Sequence, residues 1–151
     1  NNKVPIDGTV FMLGDFAMSG QINVVTDILA RLNGKIYWVL GNHDYRNRLE
    51  REVFKWHAEQ ADVITLITDD SKLHMRNLFM SHYPHLYWPK DTYHIHGHVH
   101  SGPLSTSNEV VPFHPMRYDV GVDNNNYEPI SYNELRDIFL SYEKNTSRNS
   151  G

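Results

Sequence analysis

Tyr93-His94-Ile95-His96-Gly97-His98-Val99-His100 is the stretch on which the fold turns. On a strand successive side chains alternate faces, so His94 and His96 share one. Gly97 lets the backbone turn, and His98 and His100 then converge from the loop beyond it. Four of the ten histidines of the chain fall here, so a metal site at the carboxyl end of a strand is the first reading.

Working outward, three more apolar runs end in polar groups of the same kind. Thr9-Val10-Phe11-Met12-Leu13 predicts a buried strand ending in Gly14-Asp15. Lys35 to Leu40 predicts a second, ending in Gly41-Asn42-His43-Asp44, and Leu73 to Met80 a third, delivering Ser81-His82-Tyr83-Pro84. Helical spacing of Ile22, Val25, Ile28, Leu29 and Leu32 after Ser19, with Asn33-Gly34 as the stop, puts a helix between the first two strands. Leu49, Val53 and Trp56 mark a helical face over about 47–57, and Asp62 to Ile67 reads as a strand, with Asp69-Asp70-Ser71 a turn. Arg117 to Asp123 reads as a late strand and Asn124-Asn125-Asn126 as a turn. Ser131-Tyr132-Asn133-Glu134 is a capping box that opens a final helix through Leu135, Ile138, Phe139 and Tyr142. The expected architecture is α/β (α+β), one domain over 1–143 with a flexible tail over 144–151.

Open α/β folds place their chemistry outside the carboxyl ends of strands. Asp15, Asn42, His43, Asp44, His82, His98 and His100 all fall there. The chain has no cysteine, so any metal must be held by imidazole, carboxylate or amide oxygen, a set that suits Mn, Fe, Zn or Ni. A net charge of −4 without a basic cluster argues against non-specific nucleic-acid binding. No run is long and apolar enough for a membrane span and no leader pattern opens the chain, so the expected location is cytoplasmic.

In this order and spacing, Gly14-Asp15, Gly41-Asn42-His43-Asp44, His82 and Gly97-His98-Val99-His100 resemble the calcineurin-like metallophosphoesterase family, over about residues 9–135. The compact size, the His82-Tyr83-Pro84 loop and the Val120-Gly121-Val122-Asp123 to Ser131 passage resemble its small single-domain bacterial and phage members. The resemblance implies a four-layer αββα sandwich. It implies a hydrolase that cleaves a phosphomonoester or phosphodiester, on a small phosphoester or nucleotide substrate, by attack of a metal-bound hydroxide at a site of two divalent ions, manganese favoured. Asp15 would bridge the ions, Asn42, His82 and His98 would complete the second, and His100 would belong to the first. His43 would stabilise a phosphoryl oxygen or protonate the leaving alkoxide, and Asp44 would orient it. Arg46 is the candidate for an additional substrate phosphate contact. His94 and His96 would be supporting histidines rather than ligands.

One family motif has no match. No Asp-x-His occurs in the chain, and Asp7 has no histidine at the required spacing. Asn1 to Leu13 resembles the segment that leads into the second family motif, so a ligand-bearing strand is expected upstream. Weak occupancy of the first metal position, and low activity of this chain, follow from that reading. The alternative is a non-catalytic scaffold or interaction domain with a degenerate site.

Overall fold

The computed structural model describes residues 1–17, 22–44, 58–68, 71–73, 77–101 and 111–148, which fall into two compact units, 1–64 and 65–151. The expected helix over about 47–57 and the turn at Asp69-Asp70 lie outside the described residues, as do Ser19 and Arg46.

The first unit is built on a three-stranded parallel sheet of β1 (Thr9–Met12), β2 (Lys35–Val39) and β3 (Ala58–Ala61), in that order. Parallel neighbours need a crossover, and helix α1 (Ile22–Leu29) supplies the one from β1 to β2. Val25 and Leu29 of its apolar face pack with Ile36 and Trp38 of β2, and Val10, Met12 and Phe16 close the cluster. α1 ends at Leu29, short of the Asn33-Gly34 stop the sequence suggested, and the chain enters β2 through Gly34 at φ +89°, where a β-carbon would press on the Gly8 carbonyl. β3 has no counterpart in the sequence reading. Ala58-Glu59-Gln60-Ala61 contains no apolar run, and it becomes a strand by pairing along β2 from Ile36↔Ala58 to Val39↔Ala61.

The second sheet has the order β4 (Val63–Ile67), β5 (Asn77–Ser81), β6 (Thr92–His96), β7 (Arg117–Asp119), with β4 spanning the boundary between the units. β5, β6 and β7 run parallel. All five residues of β6 are buried, as in a strand covered on both faces. Helix α2 (Tyr132–Arg148) packs through Leu135 and Phe139, and Phe139 stacks on Tyr93 at 4.2 Å. Its start is the expected capping box: Glu134 accepts from Ser131 N–H at 2.8 Å, and Glu134 N–H returns to Ser131 Oγ at 3.3 Å.

Two further boundaries differ from the sequence reading. The late strand stops at Asp119 rather than Asp123. There Asp119 Oδ1 accepts the Gly121 N–H at 2.8 Å and its carbonyl accepts the Asn124 and Asn125 side-chain amides, so the chain curls into a 3-10 turn over Val122–Asn124. Residues 144–148, expected as the start of a flexible tail, continue α2. Among the described residues no helix is long and apolar enough to cross a membrane.

Candidate functional site

In the first unit the ends of β1 and β2 are tied together by one buried carboxylate. Asp44 Oδ2 accepts the backbone N–H of Asp15 and of Gly41, both at 2.8 Å, and the Trp38 indole N–H at 3.1 Å. Its Oδ1 accepts Phe16 N–H at 3.3 Å. Acceptor-only chemistry and two oxygens make an aspartate the right residue for a point where several donors meet. Among the described contacts Asp44 accepts from backbone and from the Trp38 indole, and the carboxylate that stands 4.0 Å from the His43 ring is that of Asp15.

Asp15 leaves the end of β1 at φ +56°, in the left-handed region that costs an ordinary side chain about 1 kcal/mol or more. Its Oδ1 accepts His43 N–H at 2.9 Å, and its Oδ2 lies 4.0 Å from His43 Nε2. Gly41 makes the approach possible, since a β-carbon there would collide with the Asp15 carboxylate and backbone nitrogen. Asn42 lies on the same turn between Gly41 and His43. The sequence motifs Gly14-Asp15 and Gly41-Asn42-His43-Asp44 are thus brought together by their own hydrogen bonds.

In the second unit His82 follows β5 and His98 follows β6, parallel neighbours, so both emerge at the same edge of the sheet. Gly97 N–H donates to the His82 carbonyl at 3.1 Å and locks the two loops. The rings meet with His82 Nε2 3.1 Å from His98 Nδ1. Ring nitrogens this close share a proton or a cation. With metal–nitrogen bonds of about 2.1 Å, neighbouring ligands of one ion stand about 3.0 to 3.4 Å apart. The observed separation fits, and the pair can hold a metal ion.

The turn that aims His98 is not made where the sequence suggested. Gly97 does not adopt positive φ; His98 does, at +69°, and His100, at +48°. Val99 N–H bonds back to the Gly97 carbonyl at 2.9 Å, so His98 is the centre of a γ-turn of the rare, strained hand. Strain of about 1–3 kcal/mol at a non-glycine residue is a common mark of functional positions.

His100 is not gathered with the His82–His98 pair among the described contacts. Its side chain is 62% exposed and its Nδ1 stands 3.3 Å from Asp123 Oδ2. Asp123 is a neighbour the sequence reading did not single out, because it was placed inside a strand.

His94 and His96 are buried on β6, each with a ring nitrogen against a backbone carbonyl. His94 is buried, accepts His85 N–H on Nε2 at 3.0 Å, and therefore donates Nδ1–H to the Phe79 carbonyl at 3.2 Å. Burial above all pushes its pKa down to about 4, helped by the nearby His96, His85 and Arg117 and opposed by the Phe79 carbonyl. Burial likewise pushes His96 down, against its Nδ1 contact to the Gly97 carbonyl and the charge of Asp119. Both are neutral structural imidazoles at pH 7.

The chain matches no protein-family model, no curated protein and no solved structure.

Proposed function

We propose that the chain is a metal-dependent phosphoesterase of the calcineurin-like metallophosphoesterase kind, with the four-layer sandwich of that family. Asp15, Asn42, His82 and His98 would hold one divalent ion, with manganese favoured among the transition metals. A second ion would share Asp15 with His100 and would bind more weakly. The observation that carries the reading is the His82–His98 pair, two imidazole nitrogens facing each other at ligand separation, with His98 on a strained turn. The exposure of His100 and its contact with Asp123 support weak binding at the second position. When bound, the ions would supply a Lewis acid for the phosphoryl oxygens and an activated water as nucleophile.

The side chains of this protein have separate tasks in that reaction. Asn42 offers a neutral oxygen, which adds no charge to repel an anionic phosphoester. His43 is placed beside Asp15 by its own backbone N–H, and its partly exposed ring is free to protonate the leaving alkoxide. Asp44 keeps both strand ends in register beneath these groups. Arg46 is proposed as an additional contact to the substrate phosphate. The substrate is a small phosphoester or nucleotide.

Hydrolysis of p-nitrophenyl phosphate and bis-p-nitrophenyl phosphate by chelator-treated protein, with and without added Mn²⁺, tests the proposal. Slow but metal-dependent turnover is expected. His43→Ala should lower it by about 10²- to 10⁴-fold with metal content unchanged, as loss of a general acid does. Turnover that ignores the metal, no turnover with metal bound, or a fully active His43→Ala protein would contradict it.

A further inference from the structure

Three aromatic rings meet at the candidate metal pair, and the third is Tyr83. Its ring centroid lies 4.8 Å from that of His82 at an interplanar angle of 77°, and 4.6 Å from that of His98 at 64°. The two imidazoles are themselves 4.9 Å apart at 67°. Each ring therefore meets the other two edge-on, the arrangement their quadrupoles favour. We propose that Tyr83 is the positioning residue of this pair, its ring holding both imidazoles so that Nε2 of His82 and Nδ1 of His98 face a common metal ion. The inference rests on the metal-site reading above and adds to it what sets the ligands' orientation.

Tyr83 is held in place by its neighbours. Ser81 Oγ donates to the Tyr83 carbonyl at 2.7 Å. Pro84 restricts the residue before it to extended backbone. Tyr83 remains 44% exposed, which is too open for a core residue, and its ring contacts both histidines. An imidazole bound to a cation is more positive at its edge than a free one, so it attracts an aromatic face more strongly. A contact that is stronger in the bound state favours that state. The ring thus contributes to metal affinity without touching the metal, as outer partners of ligating histidines do.

Calorimetric titration of Mn²⁺ into the chelator-treated full chain separates the possibilities, using wild type, Tyr83→Phe, Tyr83→Leu and His82→Ala. Tyr83→Phe keeps the ring and should bind as wild type does. Tyr83→Leu keeps bulk but no ring, and its Kd should rise by about 10-fold or more, with the thermal midpoint of the metal-free protein unchanged. The visible spectrum of the Co²⁺ form should shift in Tyr83→Leu and not in Tyr83→Phe. Equal affinity and spectra for the two variants, or a loss of affinity matched by a loss of metal-free stability, would overturn the role of Tyr83. If Tyr83→Leu binds as wild type while His82→Ala does not bind, only that role falls. If His82→Ala binds as wild type, the metal-site reading falls and takes the Tyr83 proposal with it.

Discussion

His94 and His98 stand four positions apart in the sequence and do opposite things with their nitrogens. Both nitrogens of His94 are committed to backbone groups, so its ring is a neutral cross-link between β5, β6 and the loop at His85. Burial above all disfavours the protonated ring, with the nearby His96, His85 and Arg117 adding to it, and its pKa falls to about 4. The consequence for stability has a definite sign. The unfolded chain takes up this proton near pH 6.5 and the folded chain only near pH 4, so between those values the unfolded state binds more protons. The contribution is complete above pH 6.5, is lost as pH falls toward 4, and amounts to about 3 kcal/mol over the window. His96, pushed down by burial as well, acts in the same direction. Urea unfolding at a series of pH values should show the midpoint dropping between pH 6.5 and 4, with a shallower drop in His94→Gln. Equal slopes for the two proteins would remove His94 from the account.

At the scale of elements, the strand ends are where sequence and structure agree best. β1 and β2 were legible because each is an apolar or β-branched run followed within two residues by a glycine, β6 because His94 and His96 alternate before Gly97, and the α2 capping box because its partners are close in sequence. β3 was not, because its strand state comes from β2 beside it rather than from its own composition. The task of Asp44 was illegible for a related reason. Adjacency to His43 says nothing of which way a carboxylate points, and the donors that claim it come from Asp15, Phe16, Trp38 and Gly41. Nor does sequence show that His98 itself, rather than Gly97, takes the left-handed turn. The Asp44 tie leads to a prediction for the β1 and β2 ends. Asp44→Ala leaves several donors without an acceptor in a buried place and should cost about 3 kcal/mol of stability in denaturant unfolding at pH 7. A loss well below 1 kcal/mol would mean that water or other groups replace the carboxylate and that it is not the tie described.

At the scale of the whole molecule, each of the two units brings polar residues to the strand ends of its own sheet. The first offers Asp15, Asn42 and His43 at the ends of β1 and β2, arranged by Asp44 and Gly41. The second offers His82 and His98 at the ends of β5 and β6, arranged by the Gly97 hydrogen bond and the Tyr83 ring. The physical support for the proposed metal centre is the separation of the two imidazole nitrogens. Crystals grown with Mn²⁺ and measured for anomalous scattering at the manganese edge test that support directly. The account predicts one strong peak per chain, about 2.1 to 2.3 Å from both His82 Nε2 and His98 Nδ1, and a weaker one or none beside His100. A strong peak elsewhere, or none at the pair, would contradict it.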